Sequence, residues 1–165
     1  MTALTGDGLA PPLVAAFAAI LVAAAGAGAT TTDPWYRSLR VPGWKPPDWA
    51  FGPVWSVIFA LTATSGVLAW NADPGVAART SLVAAFIVNA VLNIGWSVIF
   101  FRLRRPDWAF VEVVMLWLSI VLLIVVVGRL SLAASVLNLP YLAWVSAAAV
   151  LNLQIVRMNP QLERA

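Results

Sequence analysis

Five long apolar runs, at about residues 12–32, 47–71, 80–101, 107–128 and 131–157, limit what this chain can become. Each holds close to the twenty residues that a helix needs to cross a hydrocarbon core about 30 Å thick. Of the 165 residues, 62% are hydrophobic and 10% charged, well beyond the roughly 45–50% apolar share of soluble domains. The excess must face lipid. Five spans leave no room for a second domain, so the expected fold is an all-α membrane protein, a five transmembrane helix bundle forming one domain over residues 1–165. The chain has no Cys and no His, which removes thiolate and imidazole metal sites, thiol catalysis, His-based triads and His ligation of haem. Its net charge of +3 sits in short loops and forms no nucleic-acid face.

The breaks between runs have their own chemistry. The first run is preceded by Asp7 and by no Lys or Arg, unlike a secretory leader, so it is read as a retained helix. Gly26 and Gly28 among alanines suit close helix packing. Pro47 and Asp48 open the second helix, and Asn71, Asp73, Pro74 and Gly75 end it. Pro140 either starts the fifth helix or kinks it. The pentapeptide PDWAF occurs at 47–51 and again at 106–110, each time after a basic loop. Helices two and four therefore enter from one face. That face gathers Arg37, Arg40, Lys45, Arg102, Arg104, Arg105, Arg157 and Arg164, against Arg79 and Arg129 on the other. The positive-inside rule then puts the C-terminus and first loop in the cytoplasm and the N-terminus outside.

Polar side chains inside spans cost free energy and need partners. Asn89 and Asn93, four apart, share one helix face with Trp96 adjacent, and serve either interhelical hydrogen bonds or a ligand. Bonding between helices is the expectation for Asn152. Glu112, one turn into the fourth helix, is expected to be solvated or paired with a nearby arginine. Trp70 and Trp108 stand at helix ends, where belt anchoring is the default, while Trp55, Trp96 and Trp144 lie deeper. Facing indoles and amides would suit a planar, polar-edged aromatic ligand.

Residues 35–55, WYRSLRVPGWKPPDWAFGPVW, stand out. Four tryptophans, three basic residues and four prolines lie between two apolar runs. The basic residues fit a cytoplasmic loop and the indoles fit an interface. Pro42, Pro46, Pro47 and Pro53 add stiffness that a plain linker does not need. A stiff aromatic flap at a membrane surface has the form of a lid for a flat apolar ligand.

This stretch, with NAVLNIGWSVIFF at 89–101, DWAFVE at 107–112 and PYLAWVSAAAVLNLQIVRMN at 140–159, resembles the TspO/translocator protein family, also called tryptophan-rich sensory proteins or peripheral benzodiazepine receptors. The likeness covers helices two to five in order. It implies a five-helix, often dimeric membrane protein that binds porphyrins such as protoporphyrin IX or haem, and isoquinoline or benzodiazepine ligands, beneath the first loop. Carried onto matching positions, the pocket comprises Tyr36, Trp44, Trp55, Asn89, Asn93, Trp96, Trp108, Trp144, Ala148 and Leu151. The resemblance also implies that Trp55 and Trp144 are the indole pair for any light-dependent porphyrin breakdown. Two positions depart from the pattern. Asn89 stands where the family usually has Gln, one methylene longer. Leu153 and Gln154 precede Arg157 where a sterol-recognition segment needs an aromatic, so sterol binding is not expected there.

Two functions follow: a tetrapyrrole-binding protein for sensing, transport or regulation, or an enzyme that degrades porphyrin with light or oxygen through pocket indoles. No acid–base or nucleophilic residue set is visible, which favours binding.

Overall fold

The computed structural model describes residues 10–72 and 75–160; Asp7, Asp73, Pro74 and Arg164 lie outside them. Within that range the chain is helical, with no strand among the described residues. The order is α1 (Ala10–Ala29), α2 (Pro34–Ser38), α3 (Asp48–Ala72), α4 (Val76–Ser97) continued by a π-helical turn (Val98–Arg102), α5 (Pro106–Gly128), α6 (Leu132–Val136) and α7 (Leu139–Met158). Five helical segments, counting α4 with its π turn and α6 with α7, are long and apolar enough to cross a membrane.

α5 is the central helix, packed on α4, α6 and α7, while α1 leans on α3 and α4 from outside. Buried side chains form three layers along the bundle. Leu39, Phe100, Phe101, Ala109, Leu151 and Ile155 fill the end under the first loop. Ile58, Val113, Leu116, Ile120, Tyr141 and Val145 fill the middle. Ala69, Leu82, Ala85, Leu123, Val127 and Ala134 fill the far end. Few residues of any span are buried and the outer faces stay apolar, as lipid exposure requires.

Several sequence expectations change here. The last span is two helices. Asn138, fully buried, donates to Ser65 Oγ at 2.7 Å and to Ala134 C=O at 3.0 Å, and Pro140 stands in the first turn of α7. Pro140 therefore starts a helix, where its missing N–H costs nothing, and does not kink one. The first loop contains α2, because Asp33 accepts the Tyr36 N–H at 2.9 Å and Pro34 follows at the first helical positions. Gly26 and Gly28 do not mark close packing. A Cβ at Gly26 would meet only Ser97 Oγ at 3.9 Å, and one at Gly28 would meet nothing within 4 Å, since α1 is an outer helix.

The π turn positions the site. Leu103 N–H reaches back five residues to Val98 C=O at 3.0 Å, and the widened turn lets consecutive Phe100 and Phe101 both face inward. Phe100 stacks on Trp96 with ring centres 5.2 Å apart, and Phe101 meets Tyr36 at 5.5 Å.

Candidate ligand-binding site

The chain from Asp33 to Pro47 folds back over one end of the bundle as a flap held at several points. Asp33 accepts from Arg104 at 2.8 Å as well as capping α2. The Tyr36 N–H chiefly, with Arg104 helping against desolvation, holds the Asp33 carboxyl below its ordinary value, so this clamp stays charged at neutral pH. Buried Asn159 grips Arg40 from both sides, accepting its N–H at 3.0 Å and donating to its C=O at 2.9 Å. Trp44 Nε1 donates to Gln154 Oε1 at 2.9 Å. Tyr36 donates its hydroxyl to Asp48 at 2.9 Å, and Lys45 closes on the same carboxylate. Burial pushes the Tyr36 hydroxyl above its ordinary value, so it remains a donor. These latches tie the flap to α3, α7 and the loop before α5. Stiffness from proline is thus joined by specific hydrogen bonds that the sequence alone did not disclose.

Beneath the flap lies an apolar cavity of about 30 Å³. Trp55, Asn93, Trp96, Trp144 and Ala148 from the expected set line it, together with Phe51, Val113, Leu116 and Val145. Trp55 stacks on Phe59 at 5.3 Å and meets Tyr141 edge-on at 5.8 Å, while Trp144 meets Phe51 edge-on at 5.5 Å. A volume of this size admits a water or two, whereas drug-sized ligands occupy roughly 300–1,000 Å³. A macrocycle would therefore need the flap and the facing aromatic rings to move apart.

The other expected residues fall around this cavity. Tyr36 and Trp44 belong to the flap. Leu151 is buried in the layer under it. Asn89 lies deeper, where its Nδ2 donates to Ser119 Oγ at 2.9 Å and its Oδ1 accepts the Tyr141 hydroxyl at 3.2 Å. Trp108 is 61% exposed on the outer surface, a position that fits belt anchoring.

Which donors remain free is informative. Asn93 Nδ2 donates to the Tyr141 hydroxyl at 2.9 Å. Trp96 Nε1 donates to Asn152 Oδ1 at 3.0 Å, and Asn152 Nδ2 donates to Pro106 C=O at 2.8 Å, as expected of an interhelical amide. Among the described residues the indole N–H groups of Trp55 and Trp144 have no hydrogen-bond acceptor. The same holds, among the described residues, for Trp35, Trp49, Trp70 and Trp108, but of these six indoles only Trp55 and Trp144 line the cavity.

Sequence reasoning did not single out Phe51, Tyr141, Val145 or Asn159. Glu112 differs from expectation: both carboxylate oxygens are buried without a hydrogen-bond partner, because Arg102, Arg104 and Arg105 turn to Gly28 C=O, Asp33 and Asp107. A larger open groove of about 460 Å³ runs between α1 and α3, lined by small residues such as Ala19 and Ala63. Its Ser56 and Thr64 hydroxyls are spent on their own helix, so it lacks the orienting groups a specific site needs.

Fold and site define a class: an α-helical membrane protein of five spans, with an indole- and amide-lined cavity beneath a latched aromatic flap. The profile of the TspO/MBR family matches residues 13–158, and the chain belongs to that family. It is similar to the tryptophan-rich protein TspO of Chlorobaculum tepidum, 40% identical over 130 residues that cover 76% of this chain and 80% of the relative. It is also similar to protein CrtK of Rhodobacter capsulatus, 34% identical over 152 residues (87% and 92%). The translocator protein of Homo sapiens is 30% identical over 126 residues (76% and 75%). The protein is an integral, multi-pass membrane protein.

Proposed function

We propose that the protein binds a tetrapyrrole, protoporphyrin IX or a close analogue, between Trp55 and Trp144 after the flap lifts, and serves its sensing, transport or regulation. The supporting observation is the pair of indole rings, Trp55 and Trp144, that line one apolar cavity at the flap end of the middle layer. Rings of this kind stack on a flat macrocycle, and their faces supply most of the contact. With no Cys or His in the chain, thiolate and imidazole ligation of an iron are absent, and recognition in this reading rests on the macrocycle and its carboxylates. Arg37 and Arg40 on the flap supply positive charge for propionate groups. The test is a titration of detergent-purified protein with protoporphyrin IX, followed by tryptophan fluorescence in the dark. Saturable one-site quenching supports the reading, and quenching that never saturates overturns it.

Orientation and assembly belong to the same proposal. Arg37, Arg40, Lys45, Arg102, Arg104, Arg105 and Arg157 gather at the flap end, with Arg79 and Arg129 at the other. By the positive-inside rule the flap end is cytoplasmic and the N-terminus external. A reporter fused after Ala165 is expected to be active only in its cytoplasmic form, and strong external activity would reverse the orientation. The homodimer implied by the family resemblance is part of the proposal too.

A further inference from the structure

Glu112 has surroundings unlike those of the other polar groups in the spans. It lies six residues past Pro106, about 9 Å into α5, and leans on α4, where a Cβ built on Gly95 would meet its Oε1 at 3.5 Å. Both oxygens are out of solvent, and neither accepts a hydrogen bond. The charged and titratable groups on the elements packed against α5 are committed or placed elsewhere. From α7, Tyr141 lies within electrostatic reach, but its hydroxyl is engaged by Asn89 and Asn93; Arg157 is in the last turn, at the flap end. From α4 the nearest surface is Gly95, while Arg79 lies over the Trp70 ring at the far end. The π turn's Arg102 reaches Gly28 C=O. On α5 itself Asp107 is paired with Arg105. On α3 Asp48 is held by Lys45 and Tyr36, and α6 has no titratable residue.

An ionised carboxylate in this place would be an unpaired charge at membrane depth, which spanning segments do not accommodate without a partner. The uncharged acid incurs a much smaller penalty and fits the space that Gly95 leaves. We propose that Glu112 is an intramembrane proton-binding site: the closed bundle holds it as the acid against Gly95, and loss of the proton parts α4 from α5. Gly95 and Glu112 each immediately precede a residue of the cavity wall, Trp96 and Val113. Parting this seam therefore opens the wall and lets water reach the carboxylate. One proton is taken up per closing event, so in the range where only the closed form is protonated, each unit rise in pH shifts the closed-to-open ratio about tenfold toward the open form.

The chain suits a direct test, because Glu112 and Glu163 are its only glutamates. The full-length protein carrying Glu163→Gln is labelled with carboxyl-¹³C glutamate and reconstituted in lipid vesicles, so that the carbonyl signal comes from Glu112 alone. At neutral pH that signal is expected at the carboxylic-acid position, moving to the carboxylate position at strongly alkaline pH. In parallel, thermal unfolding is followed against pH. The midpoint of the parent is expected to fall with rising pH through the range where the folded Glu112 keeps its proton and the unfolded one has lost it, levelling off once Glu112 ionises in the folded protein. That fall is expected to be lost in Glu112→Gln, which keeps a neutral group of the same shape. A carboxylate signal at neutral pH overturns the proton site. An acid signal with identical midpoint profiles in parent and Glu112→Gln overturns the coupling to the seam. The readouts need no tetrapyrrole, so they stand whatever the porphyrin titration gives.

Discussion

Tyr141→Phe is expected to destabilise the bundle by about 1–4 kcal/mol while leaving every ring contact in place. The hydroxyl donates to Asn89 Oδ1 at 3.2 Å and accepts from Asn93 Nδ2 at 2.9 Å, and the ring packs in the middle layer against Trp55. Removing one oxygen leaves two buried amide groups short of a partner, each roughly a 1–3 kcal/mol loss. Hydrogen bonds between membrane helices measured by double-mutant cycles average only about 0.6 kcal/mol, because the unfolded chain in the membrane also finds partners. Asn89 keeps its bond to Ser119, and Asn93 borders a cavity large enough for a water. The loss therefore belongs at about 1 kcal/mol if water enters or the groups re-pair, and at about 4 kcal/mol if the cavity stays dry. Reversible unfolding in mixed micelles gives the number. A double cycle of Tyr141→Phe with Asn93→Ala should show a coupling of about 0.5–3 kcal/mol. A loss below about 0.5 kcal/mol would mean that the network is not a stability element.

The spans were legible because hydrophobic length is a property of composition, and twenty apolar residues in lipid have few alternatives to a helix. The flap's shape was not. Prolines signalled stiffness, but the grip of Asn159 on Arg40 joins residues 119 apart, and no local pattern encodes it. The break before α7 was hidden for a similar reason: Leu137 and Asn138 read as span, and only Ser65 on α3 shows why Asn138 is buried there. Glu112 was misread because its distance from the helix end was legible while its face was not. Three nearby arginines looked available, yet each has a partner elsewhere. Of the candidate site, the cavity gathers the residues at mid-depth on α3, α4 and α7. Trp108 was separated from them by its helical phase, about 140° around α5 from Val113 and on the outward face.

Trp55→Phe and Trp144→Phe are expected to leave the proposed tetrapyrrole binding largely intact and, on the breakdown alternative that the family resemblance implies, nearly to abolish light-dependent loss of the bound pigment. Both indoles line the cavity. Phenylalanine keeps a flat apolar wall but deletes the N–H and makes one-electron oxidation of the ring harder. For binding, the cost is the aromatic-pair contribution of about 0.5–1.5 kcal/mol, which is roughly two- to tenfold in Kd. The contacts of each ring argue for a small structural effect: Trp55 rests on Phe59 and Tyr141, and Trp144 on Phe51, and no hydrogen bond within the described residues is broken by either change. Trp96→Phe is the contrasting variant. Its N–H is committed to Asn152, so that change orphans a buried carbonyl oxygen and should lower stability by about 1–3 kcal/mol. Dark titration and illuminated decay of protoporphyrin IX, measured on the same preparations, separate the outcomes. Parent-rate bleaching in both cavity variants would leave these indoles as wall alone and remove the residues that the resemblance implies for light-dependent breakdown. Loss of binding in both, with unfolding unchanged, would show that the N–H groups rather than the ring faces hold the macrocycle, because the apolar wall would still be present.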